Sequence, residues 1–578
     1  MSLLLVAAFA LSADPPAPLG RQIAAFTLPD TSGQPWVLAD QARDAKATVV
    51  AFLSAGCPVS NGNLAALAEL HKKHAKNGVV FVGVFSHPAE DADAIAAHAK
   101  EAAIPFPCLK DDGTTLADKL AVDRLPTVVV LDSGRKVRYA GRVDDQFAVG
   151  IHRAKATTRE LAAALESVVA GTDVATPFAA PAGCKLTRPT KEVAAGPAVT
   201  YHKEVSRLIQ AKCQGCHRPG EPAPFALMTY KQAKGWSGMM REVVTDGVMP
   251  PWSADTPPGH ILNDRRLTAA EKATLTAWVD QGCPEGDPAD APPPKTYAAG
   301  WRLGREPDVV LTMNKPVSVP AQYMLGMMGM PYEYIPAGEP FAADMWVQGL
   351  EVRPDLRAAI HHVIAFLVPP GQTFWDVAGP NFGRYVLAAY VPGDDPILYP
   401  EGTAKLIPKG GQILFEVHYT PNGKAGVDRS KIGLVKAKGP PKYEAKSDAV
   451  FTEKFRIPAG DPNYRVVAKR TFKTDLVIAA LTPHMHLRGK SFQYDLRRPD
   501  GTTETLLSVP RYDFNWQVAY TLAKPLAVPA GSTLTCTATF DNSPGNPANP
   551  NPAKSVTWGQ QTWEEMMIGF VETVEERK

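Results

Sequence analysis

The chain has 578 residues, 61 of them basic and 59 acidic, for a net charge of +2 with no long basic run, a balance that excludes a protein built to track a phosphate backbone. At roughly 100–200 residues per domain, this length exceeds one hydrophobic core. Proline clusters at 175–183 and 284–295 read as stiff connectors that cut the chain into three blocks, and seven cysteines are too sparse for a disulfide scaffold.

The opening residues, MSLLLVAAFALSADPP, hold an apolar run followed by small residues. Residues 1–19 read as an export leader, too short to cross a bilayer and lacking a basic n-region, as though its start were truncated. The mature chain is expected to be periplasmic or extracellular and to have no transmembrane segment, because no later stretch reaches about 18 uninterrupted apolar residues. In the first block, residues 20–170, β-branched runs at 48–53 and 79–85 enclose a helical period of Leu64, Leu67 and Leu70, which predicts a βαβ unit. Cys57 falls where the first strand gives way to the helix, and a helix N-terminus favours a thiolate through its unpaired N–H groups and dipole. Pro126 directly precedes another strand, with a turn at Ser133-Gly134 behind it.

This block resembles the redoxin family of peroxiredoxins and thiol-disulfide oxidoreductases, with GCPVSN at the family's cysteine position and Pro126 at its cis-proline position. The resemblance implies a thioredoxin-like α/β fold with Cys57 as the reactive thiol. Ser60 stands where the family has its second cysteine. Three readings stay open: a one-cysteine peroxidase, a pairing of Cys57 with Cys108, or a redoxin fold kept as a docking or structural module.

After a linker at 171–198, the second block, residues 199–290, contains Cys213-Gln214-Gly215-Cys216-His217, the c-type haem attachment motif. In that motif Cys213 and Cys216 form thioethers to the porphyrin and His217 takes one axial site. Val205, Leu208 and Ile209 predict a helix leading into the motif, and Thr268 with Glu271 predicts a capping box opening a second helix with Leu275, Trp278 and Val279 on one face. Met249, in DGVMPPWSAD, is chosen as the second axial ligand because its prolines stiffen an extended loop; Met239 and Met240 are assigned to the core. A disulfide between Cys184 and Cys283, which flank the block, is the accompanying expectation. The block resembles a small all-α class I cytochrome c domain, which implies one covalently bound haem c.

Beyond a linker at 291–300, the third block divides into 301–442 and 443–578. Its only five histidines, at 361, 362, 418, 484 and 486, all lie in or beside strand-like segments. His484 and His486 share one face of a strand, with Met485 pointing the other way into the core, whereas His361 and His362 need a twist or bulge to converge. Imidazoles with a thioether from Met566 or Met567 suit copper.

The motifs His-His, Val-His-Tyr, His-x-His-x-x-Gly and Glu-Glu-Met, in that order, resemble the copper type II ascorbate-dependent monooxygenases, the group of peptidylglycine α-hydroxylating and dopamine β-monooxygenases. The resemblance implies two antiparallel β-sandwiches whose two copper ions face each other across a solvent cleft. It assigns an electron-transfer copper to His361, His362 and His418, and an oxygen-binding copper to His484, His486 and Met566, the methionine that follows Glu565. Thr482 replaces the arginine that holds a peptide carboxylate in that group, and Ile568 and Phe570 replace its substrate-contacting asparagine and tyrosine. The expected activity is therefore hydroxylation of a neutral or apolar small molecule with O2, fed by an external reductant, ascorbate-like or a redox protein, through the in-chain haem. The rival reading is a copper and haem electron carrier that hydroxylates nothing.

Overall fold

The computed structural model describes residues 19–153, 155–188, 199–297, 300–321, 330–377, 382–421 and 424–577; the expected leader up to residue 18 lies outside them. The chain divides into two compact units, 1–191 with 234–239, and 192–233 with 240–578.

In the first unit the run ATVVAFL forms β1 (Ala47–Leu53), with every residue buried. It lies parallel to β2 (Val79–Phe85), which in turn pairs in parallel with β3 (Cys108–Lys110). On the other side β1 pairs antiparallel with β5 (Thr127–Asp132), and β5 with β6 (Val137–Gly141); β4 (Arg124–Leu125) precedes β5. An edge strand, β7 (Phe178–Ala179), completes the six-stranded order β7-β6-β5-β1-β2-β3. Separate apolar clusters cover the two faces, so the central strands are buried on both sides and read as continuous apolar runs rather than alternating ones. Helix α1 (Pro58–His74) follows β1, α2 (Ala92–Glu101) follows β2, and α3 (Glu160–Val169) buries Leu161, Ala164, Leu165 and Val168 at helical spacing. This is the α/β thioredoxin-like arrangement expected for the block.

Part of the expected linker, 171–198, is structured and belongs to this unit. Besides β7, β8 (Cys184–Lys185) pairs antiparallel with β4. Short edge pairings of this kind tolerate neighbouring prolines, which is why a proline-rich stretch still joins the fold.

In the second unit, α4 (Ser206–Lys212) runs into the Cys-x-x-Cys-His segment, and α5 (Ala269–Asp280) opens on the Thr268/Glu271 capping box. Val205, Leu208, Ile209, Leu275, Trp278 and Val279 are buried, as is Met240; Met239, also buried, falls in the first unit. Trp252, Ala254 and Ile261 join the apolar core of the last β-rich segment, Trp252 meeting Tyr520 edge-on at 5.1 Å. Backbone bonds Asp255 N to Ser508 O (2.8 Å), Leu262 N to Thr521 O (2.8 Å) and Ala523 N to His260 O (2.9 Å) hold the same loop. Trp252→Ala should therefore cost about 3–5 kcal/mol, the usual range for a buried tryptophan. A drop in thermal midpoint no larger than that of a surface substitution would show that the loop is not anchored this way.

From residue 300 the unit is nearly all β. The first half contributes β9 (Val309–Thr312), β10 (Glu333–Ala337), β11 (Met345–Arg353), β12 (Ile360–Val368), β13 (Val386–Tyr390), β14 (Thr403–Ile407), β15 (Gln412–Tyr419) and β16 (Lys431–Lys436). The second contributes β17 (Tyr443–Phe451), β18 (Tyr464–Thr471), β19 (Leu476–His484), β20 (Gly489–Arg497), β21 (Thr503–Val509), β22 (Tyr520–Val528), β23 (Thr533–Phe540) and β24 (Ile568–Glu576). One sheet runs through both halves in the order β9-β16-β11-β14-β17-β24-β19-β22, joined by a parallel contact of β14 with β17. A four-stranded sheet β10-β15-β12-β13 shares an apolar core with its first half, and β18-β23-β20-β21 shares another with its second. The layering is compatible with two β-sandwiches, but they share a sheet across residue 442 instead of ending there.

Candidate metal centre and thiol pair

His361 and His362 open β12, and His418 lies opposite His362 on β15. The register slips between Ile360 and His362, a bulge that turns two adjacent side chains to the same side. Their Nδ1 atoms come within 3.1 Å, and one ligand atom from each of His361, His362 and His418 lies within 4.8 Å of the others. His418 Nε2 is 3.2 Å from Thr562 Oγ1, leaving a buried Nδ1 without a partner. Burial is the first cause of the depressed basicity of all three rings, taking His361 to about 3 and the other two well below the usual imidazole value. They are neutral at pH 7 with lone pairs exposed to one another, which is costly unless something accepts those pairs. A metal ion meets that need, so the donor set fits one.

His484 ends β19 and His486 follows on the same side, their rings 5.3 Å apart. His484 Nδ1 is held by Gln517 Oε1 at 2.5 Å and His486 Nδ1 by the Glu564 carbonyl at 3.2 Å, which leaves both Nε2 atoms available. Glu565, fully buried, accepts from His486 N (2.9 Å) and Arg488 N (2.7 Å) and so ties the His-x-His turn to the segment carrying Met566. Burial pushes its carboxyl up to about 7, against the pull of Arg488. Met567 and Met485 are fully buried in the apolar core, while Met566 is half-buried. Thr482 pairs with Phe570 and His484 with Ile568 across β19 and β24, and the Phe570 ring lies 6.2 Å from His484.

The solvent cleft implied between the two histidine sets is absent among the described residues. His362 and His484 rings are 6.3 Å apart, and Phe514 stacks on His361 at 4.2 Å while lying 6.1 Å from both His418 and His486. Neutral imidazoles and an aromatic ring pack well stacked, as His361 on Phe514, or edge-on, as His362 with His484 and His486 with Phe514, so the seam closes. Phe514, Gln517, Thr562 and Tyr332, whose ring is 4.7 Å from His418, carry no motif and are visible only in the fold. Of these, Phe514 and Gln517 lie in the loop between β21 and β22, a non-local neighbour of His361, His418, His484 and His486.

At the haem-type motif, α4 ends and the chain turns tightly, with Cys216 N and His217 N both bonded to Cys213 O. His217 Nδ1 is 3.1 Å from the Phe225 carbonyl, which fixes the ring and leaves Nε2 as the donor. Two thiols and an imidazole so disposed fit covalent haem. Met249 sits half-buried in the turn after the helix Ser237–Thr245, its N–H on Val243 O.

Cys57 caps α1, with Pro58 at the first helical position. It is joined not to Cys108, and Cys184 not to Cys283: the disulfide is Cys57–Cys184, with Cα atoms 6.1 Å apart. The cause is Gly183, which approaches Leu125 so closely that a Cβ there would meet the Leu125 carbonyl at 1.9 Å. That approach lays β8 along β4 and brings Cys184 beside Cys57, whose sulfur is 3.2 Å from Leu125 O. Cys108 is on β3, where burial pushes its thiol up to about 12. The Leu125–Pro126 bond is cis, as the family position of Pro126 implies. Behind Cys57, the buried Glu90 accepts from Ser54 Oγ (2.6 Å) and Gly56 N (3.1 Å), ordering the loop before α1.

Residues 19–140 match the AhpC/TSA family. Among solved structures, the chain is similar to a hypothetical protein of Sinorhizobium meliloti 1021, at 31% identity over 29% of this chain and 92% of that one, with a TM-score of 0.27. It is also similar to peroxidoxin BcpB of Mycobacterium tuberculosis, at 23% identity over 26% and 94% with a TM-score of 0.21. A secreted Mycobacterium tuberculosis disulfide oxidoreductase gives 20% identity over 25% and 95%, with a TM-score of 0.20. No curated protein matches the chain. No helix among the described residues is long and apolar enough to cross a membrane. Residues 19–140 are thus a redoxin module of the AhpC/TSA type, an oxidoreductase fold.

Proposed function

We propose that the chain is an exported copper-dependent monooxygenase that hydroxylates a small neutral or apolar substrate with O2, supplied with single electrons through a covalently bound haem c. The observation that carries this reading is the convergence of four buried histidines and the half-buried His361 in two sets, one set tied by Glu565 to the segment of Met566. When bound, two copper ions would supply dioxygen binding and one-electron storage, and a haem on Cys213 and Cys216 a one-electron relay.

His361, His362 and His418 would hold the electron-transfer copper, and His484, His486 and Met566 the oxygen-binding one. Gln517 and the Glu564 carbonyl fix the tautomers of the second pair, and Phe514 keeps water out of the seam between the sets. Thr482, Ile568 and Phe570 present one hydroxyl and two apolar side chains beside His484, which favours a substrate without a carboxylate. His217 and Met249 would ligate the haem iron. A haem route to the first histidine set is supported by β13: Tyr390 pairs with Val363 beside His362, and a Cβ on nearby Gly393 would lie 3.6 Å from Cys216 Sγ. An anionic, ascorbate-like reductant would find a cavity of about 740 Å³ beside the motif, lined by Arg218, Arg302, Arg353, Arg357 and Lys431 against two carboxylates, Glu221 and Asp355.

Metal analysis and a haemochrome spectrum on the exported full chain should give two coppers and one haem, the haem being lost in the Cys213→Ala, Cys216→Ala double variant. Reduced, loaded protein should then take up oxygen with a neutral or apolar substrate. The full complement without oxygen uptake for any substrate class would instead mean an electron carrier, and failure to take up copper would end the reading altogether.

A further inference from the structure

Cys184 lies outside the AhpC/TSA match, on the two-residue strand β8, and reaches Cys57 across a sequence separation of 127. We propose that Cys57 and Cys184 are a reversible dithiol–disulfide couple that exchanges electrons with external dithiols, Cys184 taking the resolving role that Ser60 cannot.

Three features point this way. Cys57 caps a 17-residue helix, where the unpaired N–H groups and dipole favour a thiolate, so it is the better leaving group of the two. Cys184 is 5% exposed and Cys57 0%, so the incoming thiolate meets Cys184 first. The strap that carries Cys184 pairs with β4 outside the six-stranded sheet, with Leu186 and Thr187 buried and Arg188 Nη2 on Val122 O (2.5 Å). Leu186 N bonds to Asp123 O (2.9 Å) and Arg124 Nη1 to Gly183 O (3.0 Å), while Arg188 pairs with Asp118 (2.7 Å) and Asp123 (3.1 Å), two carboxylates more than half exposed. Exposed pairs of that kind contribute little, so the main cost of lifting β8 from β4 is withdrawing Leu186 from the core, and the six-stranded sheet, to which neither strand belongs, stays closed.

In reduction, the thiolate of an external dithiol attacks the Cys184 sulfur, forming a mixed disulfide and breaking the Cys57–Cys184 bond. Cys57 leaves as a thiolate and takes a proton. The second thiol of the dithiol attacks its own sulfur in the mixed disulfide and releases Cys184 as a thiol. Two electrons and two protons pass to the protein, and the dithiol becomes a disulfide. Oxidation is the reverse, with an external disulfide as acceptor.

The test equilibrates the full chain in dithiothreitol redox buffers, traps thiols by alkylation and maps them by peptide mass spectrometry. Cys57 and Cys184 should gain label together in one two-electron transition, in protein that keeps its native circular dichroism, while Cys108 stays unlabelled. Arg188→Ala, which frees the far end of the strap, and Gly183→Ala, which pushes it from Leu125, should each speed reduction, the latter about tenfold or more. Cys184→Ser should leave Cys57 open to a mixed disulfide with oxidised glutathione. A bond that is reduced only on unfolding, at one rate in wild type and Arg188→Ala, would make the pair structural and overturn the proposal. Label entering at Cys57 without Cys184, or a Cys57–Cys108 bridge in the native protein, would overturn it equally.

Discussion

Above pH 7, where the Glu565 carboxyl is ionised, Glu565→Ala is expected to cost about 3–5 kcal/mol of stability, the usual loss when one partner of a buried ion pair is removed, and to weaken copper at His484 and His486. Arg488 is 1% exposed, its Nη1 is 3.9 Å from Glu565 Oε1, and its remaining bonds go to Asn542 Oδ1 (2.8 Å) and the Trp563 carbonyl (3.1 Å). Without the carboxylate that guanidinium is left charged and unpaired inside the protein. The N–H groups of His486 and Arg488 lose their acceptor in the same step, so the turn that aims His486 slackens. Glu565→Gln separates the two effects: it keeps an acceptor for one N–H but not the charge, and should fall between wild type and alanine in stability while retaining more copper. Denaturant unfolding of the metal-free proteins, followed by copper titration, reads both. If the alanine variant unfolds within about 0.5 kcal/mol of wild type, as a surface substitution does, the buried pair is not what holds this turn.

How far the site is legible in the sequence depends on how local its causes are. The shared face of His484 and His486 and the inward turn of Met485 follow from a period of two along one strand, and the helix start at Cys57 from a β-branched run meeting a helical one. The capping box at Thr268 and Glu271 is equally local. What lay beyond reach depends on distant approaches. The partner of Cys57 is decided by Gly183 lying against Leu125, a contact for which the pattern around either cysteine gives no cue. The closed seam depends on Phe514, which arrives from the loop between β21 and β22 and is one aromatic among many in sequence. The segment 252–263 reads as part of a haem-block loop because Pro250 and Pro251, just before it, look like a ligand loop; its burial against β22 shows only when Trp252 meets Tyr520.

His418→Ala should take the copper content from about two ions per chain to about one. His418 is 3% exposed, and it is the member of the first set that comes from a different strand, so it closes the ligand triangle that His361 and His362 leave open on β12. Two adjacent imidazoles remain after the substitution, and affinity at that set should fall by more than the roughly 10–100-fold typical of losing a mere supporting partner. Thr562 Oγ1 also loses its contact with the His418 ring, but this is a single neutral hydrogen bond, worth about 1 kcal/mol, so the fold should survive for the measurement. Metal analysis after dialysis against a weak chelator gives the count, and the electron spin resonance spectrum of the remaining Cu(II) identifies its set. Retention of two coppers would remove His418 from the ligands. Loss of both would be informative in another way: with His362 and His484 rings only 6.3 Å apart, it would mean that the two sets bind copper as one coupled centre rather than independently.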